Sequence, residues 1–229
     1  MGFGIRERTI LVNSLIIIGV VYAFTNLVFQ FVKTIDFPIS VNPLLYFTNW
    51  SNILAVVAAV CALYCVFKGI KLPRSVAVLK LSSLLMLTVT FLVVLFVLGP
   101  IKGWELLFDP GGLLFLHCIV PILSLIDYLY NVDIDPPEKR DVMLSVLPML
   151  LYAIGIVAVL LIAGNDDLAP YPFLRIHSQP VYVTILWFAG IAAVGFALSY
   201  GYSRLVRRTN PNLKASDGSS CHHIFRRYR

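Results

Sequence analysis

The segment Tyr46–Asn52, with the sequence YFTNWSN, stands at the head of an uncharged apolar run that extends from Ile53 to Phe67. Within it, Thr48, Ser51 and Asn52 have the i, i+3, i+4 spacing that places three side chains on one face of a helix. Polar side chains that enter an apolar helix together usually face the interior of a bundle and serve a function there. The segment therefore predicts a membrane helix with a polar face at its start.

The composition of the chain is that of an integral membrane protein. Of its 229 residues 59% are hydrophobic and only 13% charged, and the mean hydropathy is +0.86, whereas soluble domains are about half apolar and a quarter charged. The length accommodates about six helices of ~20 residues. We therefore expect an all-α, polytopic bundle of six transmembrane helices over residues 1–203, followed by a basic, disordered cytoplasmic tail over 204–229.

Prolines and loop charges define the expected spans and their orientation. Asn42-Pro43, Asp109-Pro110 and Gln179-Pro180 are typical helix starts, because proline is tolerated in a first turn. The predicted spans lie at about 9–32, 42–68, 75–98, 109–130, 135–163 and 179–202. The first run is too long for a signal peptide, so we expect it to be retained. Fourteen Lys and Arg residues fall on the side of both termini and three on the other, which predicts cytoplasmic termini.

Spans two and four both start on the outer side, which brings Thr48 and His117 to a similar depth. At 1.5 Å per residue, Thr48 lies about 7–8 Å and His117 about 10–11 Å beyond the proline of its span. The sequence therefore predicts a pocket in the outer half of the membrane. Its other expected lining and substrate-binding residues are polar side chains of spans one, two and four: Asn26, Gln30, Asn49, Ser51, Asn52 and Ser124.

This set of residues suits acyl transfer or ester hydrolysis on a lipid. A threonine hydroxyl needs a base to take its proton, and His117 is the only histidine inside a predicted span. The amides of Asn49 or Asn52 could then donate hydrogen bonds to the developing oxyanion. The cysteines have no zinc-site spacing, so we expect neither a metal nor another cofactor.

Structural interpretations of the same residues stay open. Threonine and serine in spanning helices often bond the carbonyl four residues back, and asparagine can simply join helices. The chain would then be a small carrier, a lipid-binding protein or a structural component. We expect Lys80 to snorkel and Asp127 to be an interfacial charge, and Pro121 to free the carbonyl of His117. The basic tail does not indicate nucleic-acid binding, and the oligomeric state is not predicted.

Three short motifs resemble the androgen-induced gene 1 family of six-helix membrane proteins, and its bacterial relatives most closely. They are Tyr46-Phe47-Thr48, His117 followed by Pro121, and Tyr171–Leu174; the spacing from histidine to proline is one residue shorter than in the animal members. Those members are threonine hydrolases that cleave fatty-acid esters of hydroxy fatty acids. The resemblance implies a catalytic Thr48 and His117, lipid esters as substrates, and a multi-pass location in a bacterial plasma membrane.

Overall fold

The computed structural model describes residues 4–33, 42–109, 111–131 and 137–209, and this part of the chain is helical with no strand. Six helices form its body: α1 (Ile5–Lys33), α2 (Phe47–Lys68), α3 (Arg74–Lys102), α4 (the consecutive segments Phe115–Ile119, Val120–Ile126 and Asp127–Asn131), α5 (Lys139–Ala163) and α6 (Val181–Thr209). Five of them are long and apolar enough to cross a membrane, and α4 is shorter. The prediction of an all-α chain with long apolar helices is confirmed, although the fourth span is shorter than predicted.

Helix α3 lies at the centre of the bundle and contacts α2, α4, α5 and α6. Half of its most apolar window is buried inside the protein, against 6% of that of α6. Large apolar side chains on α6, including Ile185 and Leu186, are therefore exposed. An apolar surface of this kind suits contact with lipid better than contact with water.

Helix α4 is interrupted by two π-helical turns, Phe115–Ile119 and Asp127–Asn131. In the first turn the N–H of Val120 donates to the carbonyl of Phe115, five residues back. Continuing that pattern would pair the carbonyl of Leu116 with Pro121, which has no N–H to donate. The proline thus leaves the Leu116 carbonyl without a partner inside the helix. The sequence analysis predicts the same effect for the carbonyl of His117, which lies four residues before the proline.

Helix α2 starts later than the Asn42-Pro43 pair predicts. The side chain of Asn42 accepts a 2.9 Å hydrogen bond from the N–H of Leu44 and caps a 3-10 turn, Pro43–Leu45. The α-helix itself begins at Phe47, after an extended Tyr46 that provides no side-chain cap. As a result, Thr48 lies in the first helical turn, where the backbone N–H groups have no partner within the helix.

The last helix is longer than the sequence indicated. Helix α6 continues to Thr209, so residues 204–209, which we predicted to be disordered, are helical. Val206 is fully buried and Arg207 donates a hydrogen bond to the carbonyl of Pro137, and these contacts account for the extra turns. The remainder of the predicted tail, residues 210–229, lies outside the described residues.

Candidate active site

The structure brings the side chains of Thr48 and His117 together. Thr48 lies in the first turn of α2 and His117 in the first π-helical turn of α4. The distance from Oγ1 of Thr48 to Nε2 of His117 is 3.5 Å, and the two residues are only 9% and 5% exposed. This is a long hydrogen bond, but catalytic contacts are often long before substrate binds. A hydroxyl and a base therefore face each other in a buried place.

Asn52 connects α2 to α4 by a hydrogen bond beside this pair. Its Nδ2 donates to the carbonyl of Thr48 at 2.8 Å and to the carbonyl of Leu116 at 3.3 Å. The second acceptor is the carbonyl that Pro121 leaves without a partner inside α4. The bond from Asn52 therefore satisfies a carbonyl of the π-helical turn from the neighbouring helix. Both N–H groups of the amide are used in these two bonds, so the predicted donation from Asn52 to an oxyanion would require one of them to break. Its Oδ1 is buried and has no hydrogen-bond partner among the described residues.

Ser51 connects the same turn to α3. Its hydroxyl donates to the carbonyl of Thr48 at 2.8 Å and lies 3.2 Å from Oγ1 of Thr90. Ser51 thus positions Thr48 from the side of α3, as Asn52 does from the side of α4. Thr90 is not among the residues predicted for the site, although a polar side chain in the apolar run of a neighbouring helix is a signal that the sequence contains.

Tyr171, from the loop between α5 and α6, reaches the other side of Thr48. The tyrosine hydroxyl lies close to the Thr48 side chain and to the backbone of Phe47 and Thr48. Burial raises the pKa of Tyr171 to about 12, although the contacts with Thr48 and Phe47 act in the opposite direction. The hydroxyl therefore keeps its proton at neutral pH and can donate it in a hydrogen bond. Tyr171 stands in a motif that we noted, but we had assigned it no role.

An apolar cavity of about 50 Å³ adjoins Thr48 on the side of α3, α5 and α6. Its lining comes from these helices, the start of α2 and the 3-10 turn Pro172–Leu174, and is mostly aliphatic or aromatic. Two of the lining residues, Tyr171 and Phe173, stack on each other with ring centres 5.3 Å apart, and Phe173 also stacks on Trp187 at 5.0 Å. Thr48 both lines the cavity and contacts His117. A hydrocarbon chain is the kind of group that such walls accommodate.

Other predicted pocket residues make contacts elsewhere. Nδ2 of Asn26 donates to the carbonyl of Tyr22 in its own helix, and Nδ2 of Asn49 donates to the carbonyl of Pro43. Ser124 lies seven residues beyond His117, about 10 Å along the helix, and its hydroxyl has no partner within the described part of the chain. The described contacts bring none of these three to the threonine–histidine pair. The side chain of Gln30 lies outside the described residues.

A second polar cluster lies near the opposite end of the bundle and joins α1, α3 and α4. Lys80 is ion-paired with Asp127, and its Nζ donates to Oδ1 of Asn13 at 2.9 Å. Nδ2 of Asn13 in turn donates to Oδ1 of Asp127 at 2.9 Å. Lys80 and Asp127 are 5% and 2% exposed, so the predictions of a snorkelling lysine and an interfacial aspartate are wrong. The two charges approach each other because neither could be buried alone.

Comparisons with known proteins give no identification: no family model, no curated protein and no solved structure matches this chain. Within the described ranges, no group of three His, Cys, Asp or Glu side chains could hold a metal ion. Function is therefore inferred from the residues around Thr48 and their contacts.

Proposed function

We propose that the protein is an intramembrane hydrolase of fatty-acyl esters, with Thr48 as nucleophile and His117 as general base. The observation that carries the proposal is the position of Thr48 between the histidine and the cavity. Its hydroxyl oxygen lies 3.5 Å from Nε2 of His117, and the same residue lines an apolar cavity suited to an acyl chain. The resemblance to the androgen-induced gene 1 family points to the same two residues.

The reaction would proceed through an acyl-threonine. Oγ1 of Thr48 attacks the ester carbonyl carbon while Nε2 of His117 takes the hydroxyl proton. The tetrahedral intermediate collapses, and the departing alkoxide takes that proton and leaves as an alcohol. Water then attacks the acyl-threonine with His117 as base, and the second collapse returns the proton to Thr48 and releases a fatty acid. Neither half of the reaction requires a redox step or a further co-substrate.

Tyr171 is the best-placed donor for the developing oxyanion. Its protonated hydroxyl already contacts Thr48, whereas both N–H groups of Asn52 are taken by carbonyls. Oxyanion donors act most strongly when they are positioned in advance in a site that excludes water. The open Oδ1 of Asn52 is an acceptor that suits the hydrolytic water of the second half-reaction.

The proposal places the protein in a bacterial plasma membrane with both termini in the cytoplasm. Five helices are long enough to cross it, and α4 would be the sixth crossing because it extends from Thr48 on α2 to Lys80 on α3. Those contacts lie at opposite ends of the bundle. Six crossings return the chain to the side on which it started, in agreement with the distribution of basic residues.

The purified protein in detergent micelles tests the proposal with two reagents. A fluorophosphonate probe should add covalently to Thr48, which peptide mass spectrometry would locate, and a long-chain 4-nitrophenyl ester should be hydrolysed. We expect Thr48→Ala and His117→Ala each to lower kcat/KM at least about 1,000-fold, as expected for loss of a nucleophile or its base.

Thr88→Ala is the matched control, because Thr88 is a threonine of α3 whose hydroxyl contacts Tyr202 on α6 and which is not among the described residues that line the cavity. This variant should keep its activity within a few-fold of the wild type. If the Thr48→Ala and His117→Ala variants hydrolysed the ester at the wild-type rate, the hydrolase proposal would be disproved. The measured esterase activity would then not come from these two residues.

A non-enzymatic lipid-binding protein is the second candidate function. It is favoured by the lining of the cavity, which among the described residues includes Thr48 but not His117. In this case a fatty acid or ester would bind beside Thr48 without turnover or probe labelling. Saturable binding of a fluorescent fatty acid together with no hydrolysis would support this function over the first.

A further inference from the structure

The apolar cavity that adjoins Thr48 ends at Met149. Of the α5 residues that line it, Met149 is the nearest to the start of that helix, and it is only 3% exposed. One turn further on, the hydroxyls of Ser145 on α5 and Ser199 on α6 lie 2.6 Å apart and are fully buried. This contact holds the two helices together, so the cavity cannot continue between them. Met149 therefore forms the floor of the cavity.

Gly195 of α6 leaves the space that the end of the Met149 side chain occupies. A Cβ at position 195 would lie 2.4 Å from Cε and 3.3 Å from Sδ of Met149, and the first distance is far inside van der Waals contact. Cγ1 of Val146, which is fully buried, would lie 3.9 Å from the same Cβ. Because Val146 and the serine pair fill the space behind the methionine, a side chain at 195 would push it towards the cavity.

The distance from Thr48 to this floor corresponds to a hydrocarbon of medium length. Tyr171 lies close to Thr48 and stacks on Phe173. Phe173 stacks in turn on Trp187 of α6, so Thr48 lies near the level of Trp187. From there to Gly195 is eight residues, or about 12 Å along the helix. The methionine on the floor takes up part of this length. An extended chain advances about 1.3 Å per carbon, because its C–C bonds are about 1.5 Å long, so the remainder holds about eight carbons.

We propose that Met149 and Gly195 together set the length of the acyl chain, and that the preferred substrates are esters of medium-chain fatty acids, of about eight carbons. This inference rests on the proposed function, since it takes the bound group to be the acyl chain of the ester that Thr48 attacks. Each carbon up to the floor adds apolar contact, whereas a longer chain meets Met149. The two residues determine specificity and take no part in the chemistry.

A series of 4-nitrophenyl esters from butanoyl to hexadecanoyl, hydrolysed by the full chain in detergent micelles, tests the proposal. In the wild type, kcat/KM should rise about fourfold per added carbon, the effect of burying one CH₂ group, and peak near octanoyl. Met149→Ala removes about three atoms from the floor and should move the peak about three carbons towards longer esters. Gly195→Ala should move it about two carbons towards shorter esters, because the methionine then occupies part of the cavity.

The matched controls lie on the same two helices. Met143→Ala changes a methionine of α5 that is 69% exposed, and Gly190→Ala changes a glycine of α6 whose added Cβ would meet nothing within 4 Å. Both should keep the wild-type peak. If Met149→Ala does not fold, Gly195→Ala and Gly190→Ala still give the comparison. An unchanged peak in Gly195→Ala, or the same shift in the controls, would overturn the proposal.

Displacement of a fluorescent fatty acid by unlabelled fatty acids of graded length separates this proposal from the hydrolase proposal. Thr48→Ala should abolish hydrolysis but keep the length preference in binding. If hydrolysis were absent or independent of Thr48, the hydrolase proposal would fail, and a binding preference that shifts in Met149→Ala and Gly195→Ala would still support the length limit. If hydrolysis depended on Thr48 but neither variant changed the preferred length, the length proposal alone would be wrong.

Discussion

Two polar clusters interrupt the apolar helix α4, and they differ in how completely their groups are bonded. His117 belongs to the outer cluster and Asp127 to the inner one, ten residues or about 15 Å along the helix. Each coincides with a π-helical turn. In the inner cluster, Asp127, Lys80 and Asn13 all bond one another. In the outer cluster the central contact is 3.5 Å long and the Oδ1 of Asn52 has no described partner.

This difference separates a cluster that holds helices together from one that can take up a substrate. Buried polar groups are nearly always satisfied in a folded protein, and an exception needs an explanation. The inner cluster needs none, because its charges and amide neutralise and bond one another. The outer cluster has a 3.5 Å contact between its hydroxyl and its imidazole, an amide oxygen without a described partner, and an adjoining cavity. Bonds left incomplete beside a cavity are available to a bound molecule.

The largest effect on stability should come from breaking the inner ion pair on one side. Lys80→Met leaves the buried carboxylate of Asp127 without its cation, which should cost about 3–5 kcal/mol of the free energy of unfolding. Unfolding of the detergent-solubilised protein, followed by circular dichroism, measures this change. The double variant Lys80→Met, Asp127→Leu is the control and should regain most of the loss, because no lone charge remains. If Lys80→Met were as stable as the wild type, the inner cluster would not be what holds these helices together.

A smaller loss should follow from removing the bond that Asn52 makes across the helices. Asn52→Leu keeps the size of the side chain but leaves the Leu116 carbonyl buried without a donor, which should cost about 1–3 kcal/mol. Because that bond positions the turn carrying His117, kcat should fall as well. The comparison variant is Asn49→Leu, since the described hydrogen bond of the Asn49 side chain is to the Pro43 carbonyl, near its own helix start. Equal losses in the two variants would show that the Leu116 bond has no special role.

The outer cluster was largely predictable because it depends on distances along helices. Thr48, Ser51 and Asn52 share a face through the 3.6-residue repeat, and counting residues from each proline placed His117 near the depth of Thr48. The ion pair of Lys80 and Asp127 was not predictable in this way. The two residues are 47 positions apart, and periodicity does not say which helices pack together. Tyr171 was missed for a related reason, since a loop has no repeat from which its path could be inferred.

Replacing Tyr171 tests a single bond to the outer cluster. Tyr171→Phe should cost about 1 kcal/mol of stability and lower kcat about 100-fold if the hydroxyl is the oxyanion donor. Burial raises the pKa of this tyrosine from 10.0 to about 12, so its contribution to stability is complete below pH 10 and is lost as the pH rises towards 12. The variant should therefore lose less stability than the wild type over that range.

The control for this replacement is Tyr182→Phe, because Tyr182 is 65% exposed on α6. It should change neither kcat nor the alkaline loss of stability. If Tyr171→Phe affected stability but left kcat at the wild-type value, the hydroxyl would be a cap for the start of α2 and the oxyanion role would be wrong.

The smallest effect on stability, and a complete effect on activity, should come from Thr48→Val. Valine has nearly the shape of threonine, so the cavity wall is kept, and the 3.5 Å contact to His117 is too long to contribute much. We expect a loss of about 0.5 kcal/mol, at the low end for one hydrogen bond, and no measurable ester hydrolysis. Unfolding and turnover measured on the same preparation give both quantities. A loss as large as that of Asn52→Leu would make Thr48 a structural residue, and the contrast between the two clusters of α4 would no longer hold.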